Sequence, residues 1–224
     1  MSRIGSPGAV VMTAIVGAIV AVALFVVPAD RLQGDAQRIM YVHVPMAWLA
    51  YLAFFVTLIG SVGYLIRRDL RFDRLAAASA ELGLLFTAVT IVTGAIWGKV
   101  TWGIWWDWDP RLTTTAVMLV AYAGYNLLRG SIVERSRRAR LAAVLGIVGF
   151  ANVPIVHFSV LWWRGLHQAP TVVRPGGSSI APVLGLVLLA SVVAFTIAYV
   201  WLLRRRMALE SIRDATRSHL ESVS

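Results

Sequence analysis

Five of the nine tryptophans of this chain lie within the twelve residues 97–108. They are Trp97, Trp102, Trp105, Trp106 and Trp108. Trp has a broad apolar face and a single N–H donor, so such a cluster suits a flat, largely apolar ligand. The alternative is an aromatic belt that anchors the chain at a membrane surface, where Trp is enriched. The run is therefore either a ligand platform or an anchor.

Histidines are the second group of residues that can do chemistry here. The chain has four, His43, His157, His167 and His219, and the last stands in a polar tail where it is expected to be solvated. An imidazole nitrogen is a good iron ligand, and a histidine on each face of a flat macrocycle gives six-coordinate heme. A lone histidine near a membrane surface is more often structural. Two that flank a tryptophan platform favour the ligand interpretation.

The composition indicates which elements must position these residues. The chain is 58% hydrophobic and 14% charged, with a mean hydropathy of +0.74, whereas a soluble domain has about a quarter charged residues. Its apolar runs are continuous rather than alternating, which favours spanning helices of roughly 20 residues over strands. We predict an all-α polytopic membrane protein with six transmembrane helices, at about 9–28, 44–66, 76–97, 110–129, 141–161 and 180–203. The first is kept as a span, because Phe25–Pro28 offers no small-x-small signal-peptidase site.

The net charge of +10 is distributed as the positive-inside rule requires, and this excludes a nucleic-acid site as its explanation. With six spans, most Lys and Arg residues fall at the N-terminus, in the second and fourth loops and in the C-terminal tail. The remaining ones on the other side are Arg31, Arg38, Lys99, Arg111, Arg164 and Arg174. Both termini are therefore predicted to be cytoplasmic. We divide the chain into a membrane domain, residues 1–203, and a basic cytoplasmic tail, residues 204–224.

The outer loops, about 29–42, 98–109 and 162–179, then carry the chemistry. His43 lies at the outer end of the second span, His157 in the outer part of the fifth, and His167 in the third outer loop. Asp109-Pro110 predicts an N-cap followed by proline at the first position of the fourth helix. Trp102, Trp105 and Trp106 would share one face if their loop forms a short helix. The inner loops contain no phosphate-binding motif, so a partner must supply any energy.

The residues of the second outer loop resemble those of a known family. The motif W-G-x-W-W-x-W-D-x-R-L-T of the heme exporter protein C family, which acts in cytochrome c maturation, stands here as Trp102-Gly103-Ile104-Trp105-Trp106-Asp107-Trp108-Asp109-Pro110-Arg111-Leu112-Thr113. The resemblance extends over nearly the whole chain, with six spans and internal termini. Asp107 departs from the usual pattern, in which this position often carries an uncharged residue.

The resemblance implies a ligand and a set of residues. It implies non-covalent heme b with His43 and His167 as axial iron ligands, presented at the periplasmic face of the bacterial inner membrane. His157 also stands in a family-like N-x-P-I-x-H stretch, and we favour His167 over it. The heme-contacting residues implied are Trp97, Trp102, Trp105, Trp106, Trp108, Asp109 and Arg111.

The resemblance also implies partners. They are an ABC transporter permease and its ATPase, a small single-span subunit, and a periplasmic heme chaperone to which heme is delivered and attached. This chain is not expected to be an enzyme in the usual sense, since nucleotide hydrolysis belongs to the ATPase.

Two other functions remain open. One is a heme lyase of the cytochrome c synthetase type, although those relatives are longer and this chain has no cysteine of its own. The other is a scaffold subunit of a transporter that binds no heme. A buried charge, Glu81, has several interpretations: snorkelling to the nearby membrane surface, pairing with an arginine of the loop 67–74, or a part in an inner heme path or partner contact.

Overall fold

The chain is built almost entirely of helices. The computed structural model describes residues 7–31, 33–167 and 180–223. The α-helices of this part, in chain order, are α1 (Pro7–Ala21), α2 (Met40–Arg67), α3 (Leu70–Trp102), α4 (Pro110–Ser131), α5 (Arg135–Phe150), α6 (Asn152–Trp162) and α7 (Pro182–Val223). A π-helical turn, Val22–Val26, extends α1, and a 3-10 turn, Asp35–Ile39, precedes α2. Apart from one isolated bridge, Asp30 to Gly34, the described residues form no β-structure, which confirms the all-α class.

Among the described residues, five helical segments are long and apolar enough to cross a membrane. They are Pro7–Val26, Asp35–Arg67, Leu70–Trp102, Arg135–Trp162 and Pro182–Arg213. The predicted fourth span forms as helix α4, whose 22 residues reach about 33 Å and so match a bilayer core. It is not among the five by composition, since it carries three successive threonines and Asn126. A multi-pass membrane protein is thus established, whereas the sixth span and the side of each terminus stay predictions.

The tryptophan-rich loop is shorter than predicted. Helix α3 continues through residues 98–102 and ends at Gly103, which has a left-handed φ of 80° and follows the last helical residue, as C-terminal glycines commonly do. The Lys99 ammonium donates to the Gly103 carbonyl at 2.8 Å and fixes this end. The interfacial helix that would have aligned Trp102, Trp105 and Trp106 does not form, because the chain has turned out of α3 before it reaches Trp105.

The predicted fifth span is interrupted. Helix α5 ends at Phe150 and α6 begins at Asn152, with Ala151 between them. Pro154 has no N–H to continue the hydrogen-bond ladder. The Asn152 side chain donates to the Thr114 carbonyl of α4 at 2.8 Å, so the break is joined to the neighbouring helix.

The last span and the predicted tail form one helix. Helix α7 passes through residues 204–223 without a break, so the boundary at 203 marks a change of composition and not the end of an element. Within it, Arg206 pairs with Glu81 of α3. An arginine of α7 is therefore a partner of Glu81, and the sequence analysis did not foresee it.

Small residues allow α2 and α3 to pack closely. A Cβ on Gly60 of α2 would lie 2.8 Å from the backbone N of Ala76, and a Cβ on Gly83 of α3 would lie 2.5 Å from the Phe54 ring. Where apolar burial gives little advantage over lipid, such close approach is the usual basis of helix association. The contact aligns the outer ends of α2 and α3, where His43 and Trp97 stand.

The arginine-rich helix ends lie together. Arg129, at the end of α4, forms a bidentate ion pair with buried Asp73 at the start of α3, at 2.5 and 3.0 Å. The Tyr64 hydroxyl, near the end of α2, donates to the Ser136 carbonyl at the start of α5, at 3.4 Å. The bundle thus has an arginine-rich end and an opposite end, at which the tryptophan-rich loop stands.

Candidate functional site

A pocket opens at the end of the bundle opposite the arginine-rich end. It lies between α2, α3 and α4, is covered by residues of the tryptophan-rich loop, and encloses about 790 Å³ including its mouth. His43 and His167, which are 124 positions apart in the chain, both line it.

The position of the His43 ring is fixed by three residues of α3. Its Nδ1 lies 3.1 Å from the Thr93 hydroxyl, and the edge of its ring packs against Trp97 with the centroids 5.7 Å apart. Gly94 makes room for the ring, since a Cβ there would lie 2.9 Å from His43 Cε1. Trp97 is itself fixed by donating its indole N–H to the Gln33 side chain at 3.1 Å.

His167 is positioned by the carboxylate of Asp109, at the end of the tryptophan-rich loop. Its backbone N–H donates to Asp109 Oδ2 at 3.2 Å, and its ring packs edge-on against Trp102 with the centroids 5.5 Å apart. Burial lowers the pKa of the His167 imidazole to about 4, with smaller contributions from Arg111 and His43 and an opposing one from Asp109. The ring is therefore neutral at pH 7 and has a nitrogen lone pair available. Its Nδ1 is buried and has no hydrogen-bond partner among the described residues.

Asp109 has the local role that the sequence predicted. Its other oxygen, Oδ1, accepts from the Leu112 N–H at 2.7 Å and so caps α4, with Pro110 at the first helical position. The side chain is buried and is not among the residues that line the pocket. Asp109 therefore positions the elements of the site, and its contact with a ligand stays a prediction.

Arg111 brings a positive charge to the pocket. One guanidinium nitrogen, Nη2, donates to the His157 backbone carbonyl at 2.9 Å, which ties α4 to α6. Its Nε is buried and has no hydrogen-bond partner in the part of the chain that is described. An unsatisfied buried donor in a native site calls for an explanation, and an anionic ligand group would supply one.

The tryptophans of the run divide into two sets. Trp102, Trp105 and Trp106 line the pocket. Trp97 packs edge-on against His43 and is not among the lining residues. Trp108 is 75% exposed, packs edge-on against Trp106 and is also not among the lining residues. The structure thus brings three of the five together as a surface for a ligand.

His157 is not part of the pocket lining. Its side chain is exposed, and its ring packs edge-on against Tyr51 and Phe158 with centroids 6.1 and 4.9 Å away. The pocket lining contains the other two outer histidines and not this one.

Several lining residues were not foreseen from the sequence. Tyr51 of α2, Thr87 and Gly98 of α3, and Thr115 and Met118 of α4 form much of the wall. Of these, Gly98 gave a usable signal, because Gly94 and Gly98 are four residues apart and so lie on one face of α3.

The histidines and the arginine of the pocket restrict the kind of ligand that it can hold. Among the described residues no three His, Cys, Asp or Glu side chains are grouped to hold a metal ion, so the protein does not supply a full coordination shell. Two imidazoles in an apolar, aromatic pocket suit instead a metal that brings its own planar ligand. A guanidinium at the same pocket suits a planar ligand that carries acidic groups.

Comparison with known proteins gives the family. The sequence model of heme exporter protein C matches residues 2–221. The chain is 41% identical over 191 residues to heme exporter protein C of Bradyrhizobium diazoefficiens, covering 85% of this chain and 73% of the relative. It is 36% identical over 198 residues to heme exporter protein C of Haemophilus influenzae, covering 88% and 80%. A ccmC-like mitochondrial protein of cytochrome c biosynthesis in Marchantia polymorpha is 38% identical over 157 residues, covering 70% and 66%. The chain belongs to the heme exporter protein C family.

Proposed function

We propose that this protein binds heme b non-covalently in the pocket between His43 and His167 and hands it on during cytochrome c maturation. The observation that carries the proposal is that these two histidines, from distant parts of the chain, line one pocket together with three tryptophans of the WWD motif. The names of the relatives support heme handling in this pathway.

The histidines suit an axial pair. A flat porphyrin leaves two iron positions open, one on each face, and neutral imidazoles are their common ligands. His167 is favoured over His157 because it lines the pocket and has a buried ring nitrogen with no partner among the described residues. His157 instead supplies its backbone carbonyl to Arg111.

The remaining lining residues suit the rest of the ligand. Trp102, Trp105 and Trp106 offer flat apolar area to the macrocycle, on the order of 1.5–3 kcal/mol for each large side chain that becomes fully buried. Arg111 would pair with a heme carboxylate, to which a guanidinium binds by charge-assisted hydrogen bonds. Asp107 lies in the same lining and would stay directed to the solvent at the mouth.

Delivery at the periplasmic face follows from the distribution of charge. The pocket stands at the end of the bundle away from the arginine-rich helix ends, which the positive-inside rule assigns to the cytoplasm. Trp105, Trp108 and Trp162 are exposed beside it and would form a contact surface for the periplasmic heme chaperone. The ABC transporter subunits and the single-span subunit are the further partners that we propose.

An absorption spectrum of the detergent-purified protein tests the proposal. We expect stoichiometric, acid-extractable heme with a low-spin six-coordinate spectrum. His43→Ala and His167→Ala should lose that spectrum, and added imidazole should restore it in part because it replaces the missing ligand. His157→Ala is the matched control and should resemble the wild type.

Two outcomes would contradict the proposal in different ways. Wild-type protein without stoichiometric heme would exclude heme binding and favour the scaffold function. A normal spectrum in His167→Ala together with its loss in His157→Ala would transfer the second ligand to His157.

A further inference from the structure

The Thr93 hydroxyl contacts one of the two ring nitrogens of His43. Thr93 Oγ1 lies 3.1 Å from His43 Nδ1. The same oxygen lies 2.7 Å from the Val89 carbonyl and 3.2 Å from the Thr90 carbonyl of its own helix. Both carbonyl oxygens can only accept, and the Val89 carbonyl is the nearest of the three partners, so we assign the hydroxyl hydrogen of Thr93 to it.

This use of the hydroxyl hydrogen fixes the state of the histidine. A hydroxyl has one hydrogen and two lone pairs, so Thr93 must accept at its contact with His43. His43 Nδ1 therefore carries the hydrogen and donates it. In a neutral imidazole the other nitrogen, Nε2, then has the lone pair that a metal ligand needs.

Thr93 acts on the histidine and not on the ligand. It is not among the residues that line the pocket, whereas His43 and the adjacent Gly94 are. Because a Cβ on Gly94 would crowd the ring at 2.9 Å, the two neighbours on α3 together determine both the position of the imidazole and its hydrogen.

We propose that Thr93 is a positioning residue, which holds His43 in the tautomer that presents Nε2 to heme iron. The inference rests on the proposed function, in which His43 is an axial ligand. A ligand histidine whose other N–H is hydrogen-bonded is oriented and made more basic by that bond, so it favours ferric over ferrous iron. The bond to Thr93 should therefore tighten heme binding and lower the midpoint potential of the iron.

The test compares two changes at Thr93 with one control. Thr93→Val keeps the shape and removes the acceptor, and it should lower heme affinity by roughly 10- to 100-fold and move the midpoint potential of the remaining heme to more positive values. Thr93→Ser keeps the hydroxyl and should restore both quantities. The control is Thr101→Val on the same helix, since the Thr101 hydroxyl bonds to its own helix at the Trp97 carbonyl, 2.9 Å away, and Thr101 is not among the residues that line the pocket.

Equal affinity and potential in Thr93→Val and Thr101→Val would overturn the inference while leaving the proposed function intact. So would a Thr93→Ser variant that behaves like Thr93→Val, because that result assigns the effect to packing. Absence of heme from the wild type would instead refute the proposed function.

The tautomer of His43 can also be measured directly in the wild-type protein without heme, so this test does not depend on the folding of a Thr93 variant. Nitrogen-15 labelling of histidine distinguishes protonated from unprotonated ring nitrogens by their chemical shifts, and His43→Gln identifies the His43 signals. We expect a protonated Nδ1 and an unprotonated Nε2. A His43 ring with its hydrogen on Nε2 would overturn the inference.

Discussion

The carboxylate of Asp109 and the backbone N–H of His167 are joined by a hydrogen bond of 3.2 Å, which connects the tryptophan-rich loop to the segment that follows α6. The other carboxylate oxygen caps α4 through the Leu112 N–H at 2.7 Å. One side chain thus fixes both the start of the helix that carries Arg111 and the segment that carries His167. Gly165 permits this approach, since a Cβ there would lie 2.9 Å from Asp109 Oδ2.

Two substitutions of Asp109 should separate its two roles. Asn is about as good an N-cap as Asp, so Asp109→Asn should keep the thermal stability of the protein. It loses the second acceptor for the His167 N–H, and its heme content should fall. Asp109→Ala should lose both, with about 1 kcal/mol of stability from the cap. Thermal unfolding in detergent and the heme-to-protein ratio are the measurements.

Asp69→Ala is the matched control for this pair. Asp69 caps α3 by accepting from the Arg71 N–H at 2.8 Å, at the arginine-rich end of the bundle. It should lower stability by a similar amount and leave the heme content of the surviving protein unchanged. Normal heme content in both Asp109 variants would show that the bond to His167 does not position the ligand.

Gly94→Ala should displace the His43 ring. The added Cβ would lie 2.9 Å from His43 Cε1, closer than van der Waals contact allows, so the ring must turn away from Thr93 or from the pocket. We expect reduced heme content and a larger five-coordinate fraction by absorption spectroscopy. Gly124→Ala is the control, since a Cβ there meets nothing within 4 Å and alanine favours the helix by roughly 0.5–1 kcal/mol. Equal heme content in the two variants would contradict a steric role for Gly94.

Local features of the site were predictable from the sequence, and long-range ones were not. The cap at Asp109 and Pro110 depends on residues within four positions of each other, and it forms as predicted. The bond between Asp109 and His167 joins residues 58 positions apart, and no local pattern indicates it. The juxtaposition of His43 and His167 was expected from the family resemblance and not from spacing.

The wrong predictions share a physical cause. A change in hydropathy marks where a chain leaves the bilayer, and it was used to mark where helices end. Arginine and leucine are good helix formers in water as well, so α7 continues past Arg204. Helix α3 also continues to Trp102, although Gly98, Val100 and Thr101 are weaker helix formers, and its end is set by Gly103 and the Lys99 bond rather than by the apolar run. The partner of Glu81 was missed because Arg206 had been assigned to a separate tail.

The tryptophans that line the pocket should differ in effect from one that does not. Trp105→Ala or Trp106→Ala removes apolar area from the pocket and should lower heme content, while the residual heme keeps its six-coordinate spectrum because the ligands are unchanged. Trp108→Ala removes an exposed ring outside the lining and should keep normal heme content. Normal heme content and normal chaperone loading in a Trp105/Trp106 double alanine variant would show that the run is a membrane anchor.

The side of each terminus depends on whether α4 crosses the membrane. With six spans the two termini lie on the same side, whereas five spans would place them on opposite sides. The positive-inside rule predicts that both are cytoplasmic. Green fluorescent protein fused before Met1 or after Ser224 should therefore fluoresce, and alkaline phosphatase inserted after Gly177 should be active, since each reporter works on one side of the inner membrane.

An insertion after Val133 tests directly whether α4 crosses the membrane, because residue 133 follows the end of α4. Phosphatase activity at Val133, with the termini on opposite sides, would show that α4 packs beside the spans without crossing. Fluorescence of green fluorescent protein inserted after Val133 would establish the sixth span.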